Sequence, residues 1–506
     1  MSLFYPGATF PPEDHLERLA KYYKMKSYFD GQHKQVYDRM ADLLRRSPQY
    51  DQLEKLYIAI NLPYILTLKP ADLLVGDRPT YVSGEPDASK EQKLLNEIVE
   101  ENDLNTLIYE SAVGGGYRGD SFLLVRYGNR HDNSLLKEHN LPTIGKSQAI
   151  IEHAAADTVF PESSDGNIKK IKAYNVTSIV WVKTEKKEIP YLNVAKHIAG
   201  YIIYERYRMD EIPEVGVNSQ YGYPITTFKI VEKVPTGRGE GKDIVKTGAT
   251  YPLVFHIPYS SVDDNWQGKG FVETVEHAIQ ALEDRLTQLD YILLKHSDPV
   301  MYGPELQPNP GQPQGVTVGG KYIPLRKEDA TPGAITWDGK LEAVFKEIDY
   351  LISYIFQMSE TPQWLFGTTI SGGGNAGGSG TSHSDGAAIK ARFMPILSKV
   401  KRIRNGYDKA IRDAIWACFE LEKQHGSYTG KDIYPKIHWK DGIPKNEKEE
   451  AEIMAIRTGD KPTIDQRTAI KRMDELDDMQ ADDILSNISV DDKRNQPVDP
   501  NVFNLE

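Results

Sequence analysis

Gly114-Gly115-Gly116-Tyr117-Arg118-Gly119 has the spacing GxGxxG, which in a dinucleotide site lets the backbone approach a pyrophosphate where a strand turns into a helix. Here helical periodicity precedes the run and strand periodicity follows it, the reverse of the required order, so it reads as a turn from helix to sheet. Gly239-Glu240-Gly241-Lys242-Asp243 is similar to the end of a phosphate loop, but Thr236 stands where the first glycine belongs and Asp243 replaces the magnesium-binding Ser or Thr. Arg118-Gly119-Asp120 spells an adhesion tripeptide, yet the N-terminal residues lack the charged start and apolar run of a secretory signal. The twelve histidines form no HExxH spacing, and no serine stands in a GxSxG elbow. The one cysteine, Cys418, excludes an internal disulfide and any multi-cysteine metal site. No pattern commits the chain to catalysis, a metal or a cofactor.

What must be positioned is a different feature. From Trp364 to Asp385 runs a glycine-rich stretch with few apolar residues, flanked on both sides by strongly periodic helical sequence. A long loop between rigid elements reads as a functional element presented by a scaffold. With 506 residues the chain exceeds the size of a single core, so two to four domains or layers are expected. No stretch approaches the ~18 apolar residues that span a bilayer, which predicts no membrane partner. The net charge of −12 excludes a protein that grips nucleic acid over its whole surface, but it suits one past which a polyanion slides. The 29 tyrosines suggest half-wet contact surfaces and hence assembly.

The first ~120 residues read as helical, with a turn at Gly76-Asp77-Arg78-Pro79. The period changes to two from about 121 to 260, predicting strands over 121–127, 169–176, 179–183, 200–208 and 226–231. A helix then spans Phe271 to His296 on the stripe Val275, Ile279, Leu282, Leu286, Leu289 and Leu293, with Glu273, Glu276, Glu283 and Asp290 as an acidic face. A Pro/Gly-rich segment follows, with short strands at 315–318 and 321–325. A second helix over 340–359 carries Leu341, Val344, Phe345, Ile348, Leu351, Ile352 and Ile355. The longest helix, 386 to about 421, contains Pro395, which should kink it. Its segment Lys390 to Arg412 holds a basic face, with Lys390, Arg392, Lys399, Lys401 and Arg402 as the residues singled out, either solvated, paired to acidic neighbours, or facing a polyanion or an acidic subunit. The tail from Pro444 is helical and polar, with capping-box spacing at Asn446/Glu449 and Thr463/Gln466 and a stop at Gly459.

The order of these parts resembles the portal proteins of tailed double-stranded DNA bacteriophages, siphovirus type. The resemblance covers about 15–490 and rests on four stretches. They are Tyr22-Tyr23 through Gly31-Gln32-His33; Asn61-Leu62-Pro63 through Gly76-Asp77-Arg78-Pro79; Trp266-Gln267-Gly268-Lys269-Gly270-Phe271 leading to Asp284 and Asp290; and Glu360-Thr361-Pro362, the glycine-rich loop and Gly386-Ala387-Ala388-Ile389-Lys390-Ala391-Arg392. The loop is richer in glycine than the family pattern.

The resemblance implies an α+β, mostly helical portal fold. Its parts would be a wing over 1–270 with the β-rich subdomain at about 121–260, stem helices 271–296 and 340–359 bracketing a clip at 297–339, and a tunnel loop at 360–385. A long kinked spine helix and return to the wing at 386–443 and a helical crown at 444–506 would complete it. It implies a ring of about twelve copies at one capsid vertex of the virion, made in the host cytoplasm, through which double-stranded DNA is packaged and ejected. Thr368, Thr369, Ile370, Asn375, Ser382 and His383 would be the loop residues at the DNA. The implied partners are the terminase large subunit, a head-completion or adaptor protein, and the major capsid and scaffold proteins, with no cofactor and no enzymatic activity. The rival readings are another virion connector without a DNA channel, or a nucleotide-dependent enzyme.

Overall fold

The computed structural model describes residues 3–33, 55–184, 187–212, 223–239, 241–296, 300–304, 322–325, 333–335, 341–366, 386–442, 447–459, 462–474 and 478–495. It is α+β, as expected. Helix α1 (Glu13–Phe29) opens with Glu13 and Asp14, acids that suit the positive end of the helix dipole. Helix α2 (Leu62–Val75) is capped by the Asn61 side chain, which accepts from the Tyr64 N–H at 3.2 Å, and it ends at Gly76, the turn read from the sequence. Helix α3 (Lys90–Glu101) is capped by Ser89 in the same way.

Helix α4 (Leu104–Arg118) corrects one expectation. Gly114, Gly115 and Gly116 lie inside the helix, and the reversal into strand comes only at Gly119, at φ 99°. Glycine in a helix costs about 1 kcal/mol relative to alanine, so propensity argued for a turn. A Cβ on Gly116 would stand 2.9 Å from the Thr67 methyl on α2. The close approach of two helices offsets the propensity.

The middle of the chain is β-rich. With β1 (Thr9–Phe10) and β2 (Thr80–Val82) come β3 (Asp120–Asn129), β4 (Ser147–Ala154), β5 (Val159–Ser164), β6 (Asn167–Lys183), β7 (Glu188–Ile198), β8 (Tyr201–Glu211), β9 (Phe228–Val234), β10 (Ile244–Lys246) and β11 (Val254–Pro258). Among the described residues the larger sheet has the order β1-β9-β8-β7-β6-β5, with β10 on β8, and a smaller one has the order β11-β3-β4. The two strands expected over 169–183 are one long strand, β6. It pairs with β5 up to Val176, and the Thr177 N–H reaches the Thr158 carbonyl at 2.9 Å. From Ser178 to Lys183 only β7 flanks it among the described residues, and Ile179, Val180, Trp181 and Val182 remain exposed.

Helices α5 (Phe271–His296) and α6 (Leu341–Met358) pack antiparallel, Arg285 of one pairing with Glu347 of the other at 2.7 Å. Between them β12 (Val300–Pro304) is flanked by β13 (Tyr322–Leu325), parallel, and β14 (Gly333–Ile335), antiparallel. The strand expected at 315–318 lies outside the described residues. Helix α7 (Gly386–His425), with Pro395 inside it, packs across β3, β4 and β11. Strand β15 (Lys436–His438) pairs with β2, and α8 (Glu447–Thr458), α9 (Gln466–Asp474) and α10 (Asp478–Asn495) follow. The cap of α9 is Asp465, whose carboxylate accepts from the Thr468 N–H at 2.8 Å, so the expected Thr463 box is not used; Asn446 lies outside the described residues.

Two apolar cores result. One gathers α2, α4, α5, α6, α7 and the small sheet around Leu66, Ile108, Val125, Ile279, Ile355, Val400 and Ile411, and it includes Cys418. The other joins α1 to the large sheet through Phe4, Leu19, Tyr22, Phe160, Leu192 and Ile230.

Candidate functional site: the root of the paired helices

The first turn of α5 is fixed by a crossing that only glycine permits. A Cβ on Gly119 would lie 2.4 Å from the Gly268 carbonyl, one on Gly268 2.1 Å from the Gly119 carbonyl, and one on Gly270 2.6 Å from the Tyr117 carbonyl. Beside the crossing Asp120 is fully buried and accepts from Tyr22 Oη at 2.5 Å and from the Gly268 N–H at 2.7 Å, with His256 Nε2 at 2.6 Å. Burial opposes its charge, but the hydrogen bonds from His256, Tyr22 and Gly268 outweigh it and hold the carboxyl below its ordinary range. Asp120 thus ties α1, β11 and the entry to α5 together. Its burial removes the Arg118-Gly119-Asp120 run from any surface role.

The acidic residues of α5 do not form an open face, which corrects the sequence reading. Glu273 pairs with Lys21 at 3.1 Å and Glu276 with Lys24 at 2.7 Å, both lysines on α1. Glu283, fully buried, accepts from the Ile60 N–H at 3.0 Å and from Tyr57 Oη, and lies 2.5 Å from His33 Nδ1. His33 Nε2 lies 2.7 Å from the Tyr28 carbonyl, so both ring nitrogens face acceptor atoms. Asp290 is half-buried near the far end of the helix. The apolar stripe is narrow enough that the flanking acids fall against α1 and the 57–61 segment, a neighbour no periodicity reveals.

At the other end of the pair, α6 closes through Ser359 N–H on the Ile355 carbonyl (2.9 Å) and Thr361 N–H on the Phe356 carbonyl (3.1 Å), with Glu360 at φ 53°. Lys399 of α7 donates to the Ser359 carbonyl at 2.9 Å and sets its ammonium 4.2 Å from the Phe271 ring centroid. Arg402, one turn on, grips the Glu360 carboxylate. The 3-10 turn Gln363–Phe366 is held by Trp364 edge-on to Phe393, at 4.8 Å between centroids, and by Phe366 against Phe356. Thus the last turn of α6 and the beginning of α5 are both seated on α7.

Of the basic face, Arg392, Lys401 and Arg402 are exposed, and Lys390 lies near the start of α7. Lys399 is 5 % exposed, which corrects its placement on an open face. It sits three residues after Ile396 and four before Ile403, a position on the apolar stripe that helical geometry could have revealed. Arg404 turns to the Lys440 carbonyl and the Trp439 ring, and Arg412 to Asp408 and the Tyr434 ring. Glu360, Ser359, Lys269 and Asp120 were not among the sequence candidates; only the break at Thr361-Pro362 signalled the first two. Thr368, Thr369, Ile370, Asn375, Ser382 and His383 lie outside the described residues.

A family model described as phage portal protein, SPP1 Gp6-like, matches residues 11–494 of the 506. The chain belongs to this family. Membership makes it a structural component of the phage virion with a portal role at the capsid vertex, a ring-forming protein whose partners are capsid and packaging proteins. No curated protein matches the portal chain. Among its described residues no helix is long and apolar enough to cross a membrane, and no cluster of three or more His, Cys, Asp or Glu could hold a metal ion.

Proposed function

We propose that about twelve copies of this chain form a ring whose lumen conducts double-stranded DNA into the capsid during packaging and out during ejection. In this reading α5 and α6 are the stem, β12 to β14 belong to the clip at 297–339, and α7 is the spine. Residues 1–270 form the wing, with its β-rich part at about 121–260, and 444–506 form the crown. Residues 360–385 are the tunnel loop, with Thr368, Thr369, Ile370, Asn375, Ser382 and His383 nearest the DNA. The observation that carries the reading is the antiparallel pair α5/α6, bracketing a small three-stranded unit and rooted on one long helix, in a chain that the portal family matches almost end to end. Conduction is passive, and the work of packaging falls to a separate terminase docked on the clip. An adaptor protein closes the same end after filling, and scaffold and major capsid proteins surround the ring.

Electron microscopy of the purified protein tests the reading. Class averages down the particle axis are expected to show a ring of about twelve subunits around a channel that admits a B-form duplex. A closed assembly with no axial channel would falsify it.

A further inference from the structure

Between the start of α5, the end of α6 and α7 lies a cavity of about 130 Å³. Its polar lining includes Tyr259, Ser260, Lys269, Glu360, Lys399 and Arg402. Three cations therefore face it against one carboxylate. Cavities for drug-sized ligands run to about 300–1,000 Å³, so this one suits an oxyanion the size of a phosphate group and is too small to enclose a whole nucleotide.

Two features mark the cavity as built for a ligand. The Tyr259 hydroxyl, on a ring 6 % exposed, makes no hydrogen bond among the described residues. Lys399 uses one N–H donor, on the Ser359 carbonyl, and otherwise lays its charge against the Phe271 ring. Its ammonium has no carboxylate in contact, because Glu360 is held by Arg402 on the exposed side. A buried hydroxyl and a buried ammonium without a counter-ion are groups that an oxyanion would satisfy together.

We propose that this cavity binds a phosphate-type oxyanion, held by the Lys399 ammonium and the Tyr259 hydroxyl, with Lys269 and the Arg402 guanidinium at its open side. The anion competes with Glu360 for Arg402, so occupancy loosens the contact that pins the residue after α6 to α7. Burial, with a further push from Arg402 that Glu360 counters, brings Lys399 down to about 7. The titratable groups facing it are Glu360 at the end of α6, Lys269 before α5, Tyr259 after β11 and Arg402 on its own helix. A bound dianion favours the charged ammonium, so affinity weakens as pH rises through about 7.

The cavity is formed within one chain, so its test is independent of the ring and of DNA conduction. Equilibrium dialysis of radiolabelled sulfate against the full-length protein, at constant ionic strength, is run at pH 6 and pH 8. Sulfate is chosen because it does not itself titrate in this range. Saturable binding of one ion per chain is expected at pH 6, weakened several-fold at pH 8. Lys399→Met and Arg402→Gln should each weaken it by about tenfold or more, the loss of one charge-assisted contact. Tyr259→Phe, which preserves the ring and its packing, should weaken it less. Non-saturable uptake, or unchanged affinity in both Lys399→Met and Tyr259→Phe, overturns the proposal. Adding a short DNA duplex assigns the source: displacement of sulfate identifies backbone phosphates, and its retention identifies a soluble oxyanion.

Discussion

Lys399 places an ammonium where an aliphatic side chain would pack, and that choice has a measurable pH signature. Its folded value of about 7 lies below the unfolded value near 10.4. Between these limits the unfolded chain binds more protons, so the lysine's contribution to stability improves as pH rises, and its full cost is present below about pH 7. Lys399→Met keeps the length and removes the charge, at the loss of one hydrogen bond and the contact with Phe271. It is expected to stabilise the chain by about 1–3 kcal/mol at pH 6, with the gain shrinking toward pH 10. Urea titrations at several pH values measure this; a gain independent of pH would show that the ammonium is not desolvated. Residue types were readable in the sequence, but their partners were not. The acids of α5 and the cations of α7 were located correctly along the chain, yet Glu283 meets His33 across 250 residues and Arg402 meets Glu360 across 42. Such pairs depend on how helices cross, which composition and period do not encode.

Elements were legible wherever one period ran long. Helix α5 occupies the expected residues to within its ends, and α6 and α7 differ by a few residues at their termini. Short or mixed strands escaped: β7 contains Pro190 and alternates only weakly, and its place is secured by β6 and β8 on either side. The triple glycine of α4 shows why local preference misleads, and it supplies a paired test. A Cβ at Gly114 meets only the Arg118 guanidinium, which can swing aside, so Gly114→Ala should stabilise by about 0.5–1 kcal/mol. Gly119→Ala, five residues on, forces a side chain into positive φ and against the Gly268 carbonyl, and should cost about 3 kcal/mol or more. Thermal melts of the two variants should move in opposite directions. Equal and small shifts would mean that the crossing at Gly268 yields easily.

For the molecule as a whole, α6 carries Tyr350, Tyr354 and Met358, at 74, 50 and 44 % exposure, one turn apart along the helix. Tyrosine and methionine are enriched in the cores of protein interfaces, and we expect the neighbouring copy in the ring to cover this stripe. Tyr350→Glu with Tyr354→Glu should leave the circular dichroism of the chain unchanged while light scattering shows the oligomer lost. A ring that survives this double change places the subunit contact elsewhere. Strand β6 carries a last consequence for assembly. Beyond Thr177 one edge has no pairing strand among the described residues, and four exposed apolar or aromatic residues stand in succession beside it with no proline or charge until Lys183. Such an edge is a template for strand addition. A chain that must wait at low concentration for its partner copies therefore carries an aggregation hazard, and timely burial or shielding of that edge becomes a condition of productive assembly.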